Sequence, residues 1–130
     1  MRGALFVLVA IIAASSWLHS TKSQIKTLPH IIIITANGFT PTTLTVPQGS
    51  TITFVNKDSQ KHWPASAVHP THTVYPGSDK KKCGTLEQSK IFDACRGLAQ
   101  GEEFSFTFNE KGSWNYHDHL TGFKGIIIVN

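Results

Sequence analysis

His117 and His119 stand one residue apart in the stretch Gly112 to Val129, GSWNYHDHLTGFKGIIIV, and they open the chemical reading of this chain. Strand side chains alternate between faces, so an H-x-H pair in a strand points both imidazoles one way and Asp118 the other. At ~3.3 Å per residue the two rings lie about 7 Å apart along the backbone and can converge on one cation. Partners come from a second cluster, His62 in KHWPAS and then His69 and His72 in HPTH. Five of the seven histidines thus fall in two short segments.

Imidazole ligates copper, zinc, iron and nickel, and an all-nitrogen set without thiolate suits Cu(II) or Zn(II). Copper leads the divalent affinity order, so the expected cofactor is one copper ion per chain, with zinc as the lesser alternative. His62, His117 and His119 are the candidate ligands and His72 the fourth. The sequence leaves open whether His69 or His72 closes the site. His69, beside Pro70, is otherwise a supporting or loop histidine. Asp118 either orients a ring N–H from the opposite face or supplies an oxygen in a shifted register. Each residue also has a plain structural role: a lone histidine such as His62 is structural by default, and Trp63 and Tyr116 serve equally as core aromatics. His30 and His19 are read as surface residues.

Cys83 and Cys95, twelve positions apart, are expected to form one disulfide in a chain that leaves the cytoplasm. Closing that loop contributes ~2–3 kcal/mol if unstrained. The alternative, a thiolate metal ligand, is the weaker reading because neither cysteine lies in a histidine-rich segment. Met1-Arg2, the apolar run Ala4 to Ala14 and the small residues Ala13 to Ser16 read as an export signal. Residues 1–20 are therefore a signal peptide or a retained N-terminal anchor, 21–28 a polar linker, and 29–130 the folded domain. Either way the domain is extracytoplasmic, whether periplasmic, secreted or anchored facing out. The membrane is a partner only through an uncleaved N-terminal segment.

Charge is modest, with 12 Lys+Arg against 8 Asp+Glu and a net charge of +4. The run Lys80-Lys81-Lys82 reads as a solvated loop with no interleaved aromatics, which excludes a nucleic-acid surface.

Short strands must position the histidines. Ile31 to Thr35 is a β-branched run without alternation, expected to be buried on both faces. Leu44 to Val46, Thr51 to Asn56 and Glu103 to Phe108 alternate, the last placing Phe104, Phe106 and Phe108 on one face. Trp114–His117 and Gly125–Val129 complete the set, with a turn at Asn109 to Gly112. Ala65 to Gln100 reads as a long crossover loop, tied by the disulfide and carrying a helical turn near Leu86 to Ala94. The fold class is all-β, a Greek-key antiparallel β-sandwich whose histidine-bearing loops meet at one pole.

The block IIIITANGFTPTTLTVPQGSTITFVNKD, a His shortly after it, and EEFSFTFNEKGSWNYHDH…GIIIV together resemble the cupredoxins over about Ile31 to Val129, apart from Ser78 to Leu98. The resemblance implies a first copper ligand at His62. It also implies a cysteine thiolate after G-x-W-x-Y, and that position falls on Asp118, or on His117 with a one-residue slip. Without the thiolate, the blue colour and fast electron transfer of the family are not implied. WNYHDH is similar instead to the His-x-His strand of multicopper oxidases, especially small two-domain laccases, but the remaining histidine motifs of a trinuclear cluster are missing. The resulting expectation is an exported protein with a mononuclear histidine-rich copper site, serving redox shuttling or copper handling with a redox or copper-transfer partner. Its rivals are a type 2 copper oxidoreductase, laccase-like and completed across subunits, and a plain interaction module with incidental histidines.

Overall fold

A computed structural model describes residues 28–130; the signal, anchor and linker readings, and His19, lie outside the described residues. Eight strands form the body: β1 (His30–Thr35), β2 (Gly38–Thr40), β3 (Thr43–Val46), β4 (Ser50–Asn56), β5 (Pro64–Ser66), β6 (Glu103–Phe108), β7 (Gly112–Asp118) and β8 (Lys124–Val129). They pack as two four-stranded sheets, ordered β2-β1-β4-β6 and β3-β8-β7-β5. Among the described residues the only helical elements are the 3₁₀ turns Lys80–Lys82 and Gln88–Lys90, the second of which lies inside the segment expected to hold a helical turn.

The sandwich is as expected, with one refinement. Both sheets are mixed, because β1 runs parallel to β4 and β3 parallel to β8. Residue alternation reports which face a strand buries and carries no information about its direction. β1 also departs from the expectation of burial on both faces: Ile32 and Ile34 are fully buried, whereas Ile31 is 42% exposed. Its continuous isoleucines satisfy strand propensity on the solvent side and packing on the other.

The core lies between the sheets. Phe54, Phe92, Phe106, Phe108, Tyr75 and Tyr116 interlock with Ile32, Ile34, Ile52 and Ile127. Full burial of each large side chain is worth roughly 1.5–3 kcal/mol. The Tyr75 hydroxyl accepts from the Asn109 and Glu110 N–H groups at 3.0 and 3.2 Å, which pins the start of the long loop to the β6–β7 turn. Gly125 lets the Tyr116 ring lie against β8: a Cβ there would come within 2.3 Å of Tyr116 Cζ. That close approach holds β7, and with it His117, in register opposite Lys124.

Two features of the long loop were not legible beforehand. Pro64–Ser66 is a strand, pairing antiparallel with β7 so that Ala65 faces His117. Ile91 to Ala94 then returns along the outer edge of β5, through the Ala65–Asp93 bridge and bonds between Ser66 and Phe92 and between Ala94 and Pro64. Cys83 and Cys95 form the expected disulfide, which ties this returning segment to the lysine-bearing turn.

Candidate metal centre

β7 sets the two sides of the site by strand alternation. His117 and Asp118 are consecutive and point to opposite faces, and His119 follows immediately, anchored by its N–H to the Trp63 carbonyl at 2.8 Å. Pairing of β5 with β7 carries the following segment, with His69 and His72, over the His117 side. His69, His72, His117 and His119 thereby each bring one ring nitrogen within 4.8 Å of the others. Bonds from imidazole to a metal ion run to about 2 Å, so these donors are close enough to converge on one cation.

The four residues are held unequally. His72 is fully buried and sits at φ 60°, a left-handed conformation that costs a non-glycine residue of order 1–3 kcal/mol. Its Nδ1 meets Asp93 Oδ2 at 2.5 Å, leaving Nε2 facing the cluster, 3.0 Å from His119 Nδ1. Asp93 also accepts from Trp63 Nε1 at 2.6 Å and from the Cys95 N–H at 2.7 Å. Burial alone would raise the Asp93 carboxyl, but the bonds from His72, Trp63 and Cys95 outweigh it and hold the group below the usual carboxylate range. The Trp63 ring packs with its centre 4.5 Å from that of His119 and covers one side of it. His69 is the exposed member and lies 4.7 Å from His119 between ring centres.

His117 is the decisive residue. Its side chain is 5% exposed, and neither ring nitrogen has a hydrogen-bond partner. Native structures seldom leave buried polar atoms unpaired, because each costs about 1–3 kcal/mol. Burial, reinforced by the neighbouring His72, His69 and His119, pushes its pKa down to about 4, so the ring is neutral with a lone pair free for a cation. Burial and then the nearby Lys80 push His119 downward as well. A neutral, desolvated His117 among three further imidazoles, with no carboxylate in their midst, fits a copper or zinc ion.

The structure bears on three residues of the sequence reading. His62, expected as a ligand, stands apart from the cluster with both ring nitrogens taken, Nδ1 by Asp118 Oδ2 at 2.5 Å and Nε2 by Asp58 Oδ2 at 2.9 Å. Desolvation would lower its pKa, but the two carboxylates raise it overall. Asp118, fully buried, supports His62 and no cluster histidine. Its oxygens also accept from the Trp63 and Leu120 N–H groups and from the Thr121 hydroxyl. His69, which the sequence left as either a ligand or a supporting residue, brings a ring nitrogen into the donor group together with His72. The physical reason is the unrecognised strand β5, which sends the chain after His62 across to the other face of β7.

Two residues escaped the sequence reading. Asp93 lies 21 positions from the histidine it orients, and its only hint was an acid enclosed by apolar residues in IFDAC. Lys80, whose Nζ lies 3.3 Å from His119 Nε2, was hidden in a lysine run. Both cysteines are consumed by the disulfide, so neither offers a thiolate. A cleft of about 730 Å³ opens beside His69, His117 and His119, floored by Asn115, Lys124 and Ile126 on the outer sheet face.

Solved structures share the architecture. A purple cupredoxin from Nitrosopumilus maritimus aligns with a TM-score of 0.58 and 24% identity, over 78% of this chain and 99% of that one. A Cu(I) amicyanin variant aligns with a TM-score of 0.60 and 17% identity, over 78% and 82%. A copper-containing nitrite reductase from Thermus scotoductus aligns with a TM-score of 0.59 and 24% identity, over 82% of this chain and 23% of that one. At these identities the likeness is one of fold. No curated protein sequence matches the chain. The family model for the cupredoxin-like domain matches residues 7–129, nearly the whole sequence, and the chain belongs to that family.

Proposed function

We propose that this is an exported copper protein whose single ion is held by His69, His72, His117 and His119, and that it serves redox shuttling or copper handling outside the cytoplasm. The observation that carries the proposal is His117, buried with two unpartnered ring nitrogens inside a group of four histidines. Bound copper supplies one-electron redox chemistry, here without a thiolate and therefore without the family's blue chromophore. The chain's own residues do the rest. Asp93 fixes the His72 ring so that Nε2 is the free donor, Trp63 covers His119 on one side, and burial keeps His117 neutral. The apolar N-terminal run supports export, and the physiological partner is a redox or copper-transfer protein.

A second reading, a copper oxidoreductase acting on a small molecule, draws support from the cleft beside His69, His117 and His119. One experiment addresses both. The chain is purified free of metal and titrated with Cu(II) and Zn(II), followed by EPR and visible spectroscopy. One tight Cu(II) per chain with a nitrogen-rich, non-blue spectrum, lost in His117→Ala and His119→Ala, is the expected result. No tight binding sinks the proposal. Turnover of a small reductant with oxygen favours the second reading.

A further inference from the structure

Lys80 opens the 3₁₀ turn Lys80–Lys82, and its ammonium reaches into the histidine cluster. Nζ lies 3.3 Å from His119 Nε2 and 5.5 Å from the centre of the Trp63 ring. Its neighbour Lys82 is spent elsewhere, 2.9 Å from the Gly77 carbonyl and 3.7 Å from the Glu87 carboxylate. Among the described residues Lys80 makes no ion pair with a carboxylate.

The contact continues inward. His119 Nδ1 lies 3.0 Å from His72 Nε2, and His72 Nδ1 lies 2.5 Å from Asp93 Oδ2. An ammonium only donates and a carboxylate only accepts, so with neutral rings a single proton arrangement satisfies the row. Lys80 donates to His119 Nε2, the His119 Nδ1–H donates to His72 Nε2, and the His72 Nδ1–H donates to Asp93. In the metal-free protein both nitrogens of His119 are therefore engaged.

We propose that the Lys80 ammonium is a tethered cation that competes with the metal ion for His119 and so sets how tightly, and with what charge preference, the cluster binds metal. This rests on reading the cluster as a copper site. The competition follows from the two nitrogens of one ring. A metal ion that takes Nε2 displaces the ammonium directly. A metal ion that takes Nδ1 leaves the ring proton on Nε2, which then confronts the ammonium donor to donor. Either way the Lys80–His119 contact breaks. The Trp63 face gives the displaced ammonium a nearby seat. From there its charge still opposes the ion, and opposes a dication more than a monocation.

The test compares wild type, Lys80→Met and Lys80→Arg, with melting temperatures to show that each variant folds. Affinity for Cu(II), and for Ag(I) as a monovalent probe, is measured by chelator competition. ¹⁵N NMR of the imidazoles follows His119 in the metal-free protein. Removing a like charge at this range should tighten Cu(II) binding roughly ten-fold or more, with a smaller gain for Ag(I). Lys80→Arg should stay near wild type. The metal-free wild type should show His119 protonated on Nδ1, a preference that Lys80→Met relaxes. Unchanged or weaker Cu(II) binding in Lys80→Met, or His119 signals indifferent to the substitution, overturns the proposal while the copper site stands. Failure of wild type and Lys80→Met alike to bind either ion overturns the copper reading and the competition with it.

Discussion

The last residues of β7 divide the polar interior into two regions that share a backbone and differ in every other respect. On one side Asp118 and His62 form a closed network: each ring nitrogen of His62 meets a carboxylate, and both Asp118 oxygens accept from two donors. On the other side His117, one residue earlier, presents two buried nitrogens to nothing but other imidazoles. Buried polar groups with all partners present stabilise a fold, whereas an unpartnered one calls for a specific reason, of which a bound ion is one. The His62 side is built for stability. The His117 side has the free donors that the proposed copper site needs.

That contrast is open to attack from both sides, and the largest effect belongs to Asp118. Asp118→Ala leaves the buried His62 Nδ1 and the Trp63 and Leu120 N–H groups without their acceptor, and should cost about 3–5 kcal/mol in urea unfolding. A cost under about 1 kcal/mol would deny the network its stabilising role. His117→Ala should do the reverse. Copper affinity should fall by at least about 100-fold, beyond the 10–100-fold typical of losing a supporting residue. Metal-free stability should stay within about 1 kcal/mol of wild type, because the removed nitrogens make no hydrogen bond. Asp93→Asn, which disturbs the orientation of His72, should cost 10–100-fold in copper affinity by the same titration.

His62→Gln sharpens the division further. It should lower stability by about 1–3 kcal/mol and leave one copper per chain. Loss of copper in that variant would return His62 to the ligand set.

The smallest effect is in pH, where the two regions have opposite signs in the metal-free protein. His62 is raised above 6.5, so its contribution is fully present below 6.5 and lost as pH rises through the raised value. His117 is lowered to about 4, so the unfolded chain binds more protons between those values. Its contribution is present above 6.5 and lost as pH falls towards about 4. Urea midpoints measured across this range should fall at the acid end for wild type and less so for His117→Ala. His62→Gln should flatten the alkaline limb.

Much of this was legible in the chain. Alternation in Thr51 to Asn56 and Glu103 to Phe108 located strands and their buried faces, and H-x-H with HPTH located the chemistry. The disulfide followed from two cysteines and an export-like leader. What stayed hidden were relations between segments. Pro64–Ser66 is three residues long and begins with proline, too short to show a period, yet it decides which histidines meet. His62 reads as a ligand because it follows a strand as the family's first ligand does. Asp118 occupies the His62 Nδ1 instead.

The sequence by itself determined a β-sandwich, two histidine-rich segments and the absence of a spare thiolate, because side-chain period and residue chemistry are local properties. Only the tertiary structure decided that His69 joins the cluster and His62 leaves it, that Asp93 stands behind His72, and that Lys80 reaches His119. Those outcomes depend on the register of β5 against β7 and on the path of a disulfide-tied loop. Such pairings are set by the packing of distant segments, and nothing in the local order of residues records them.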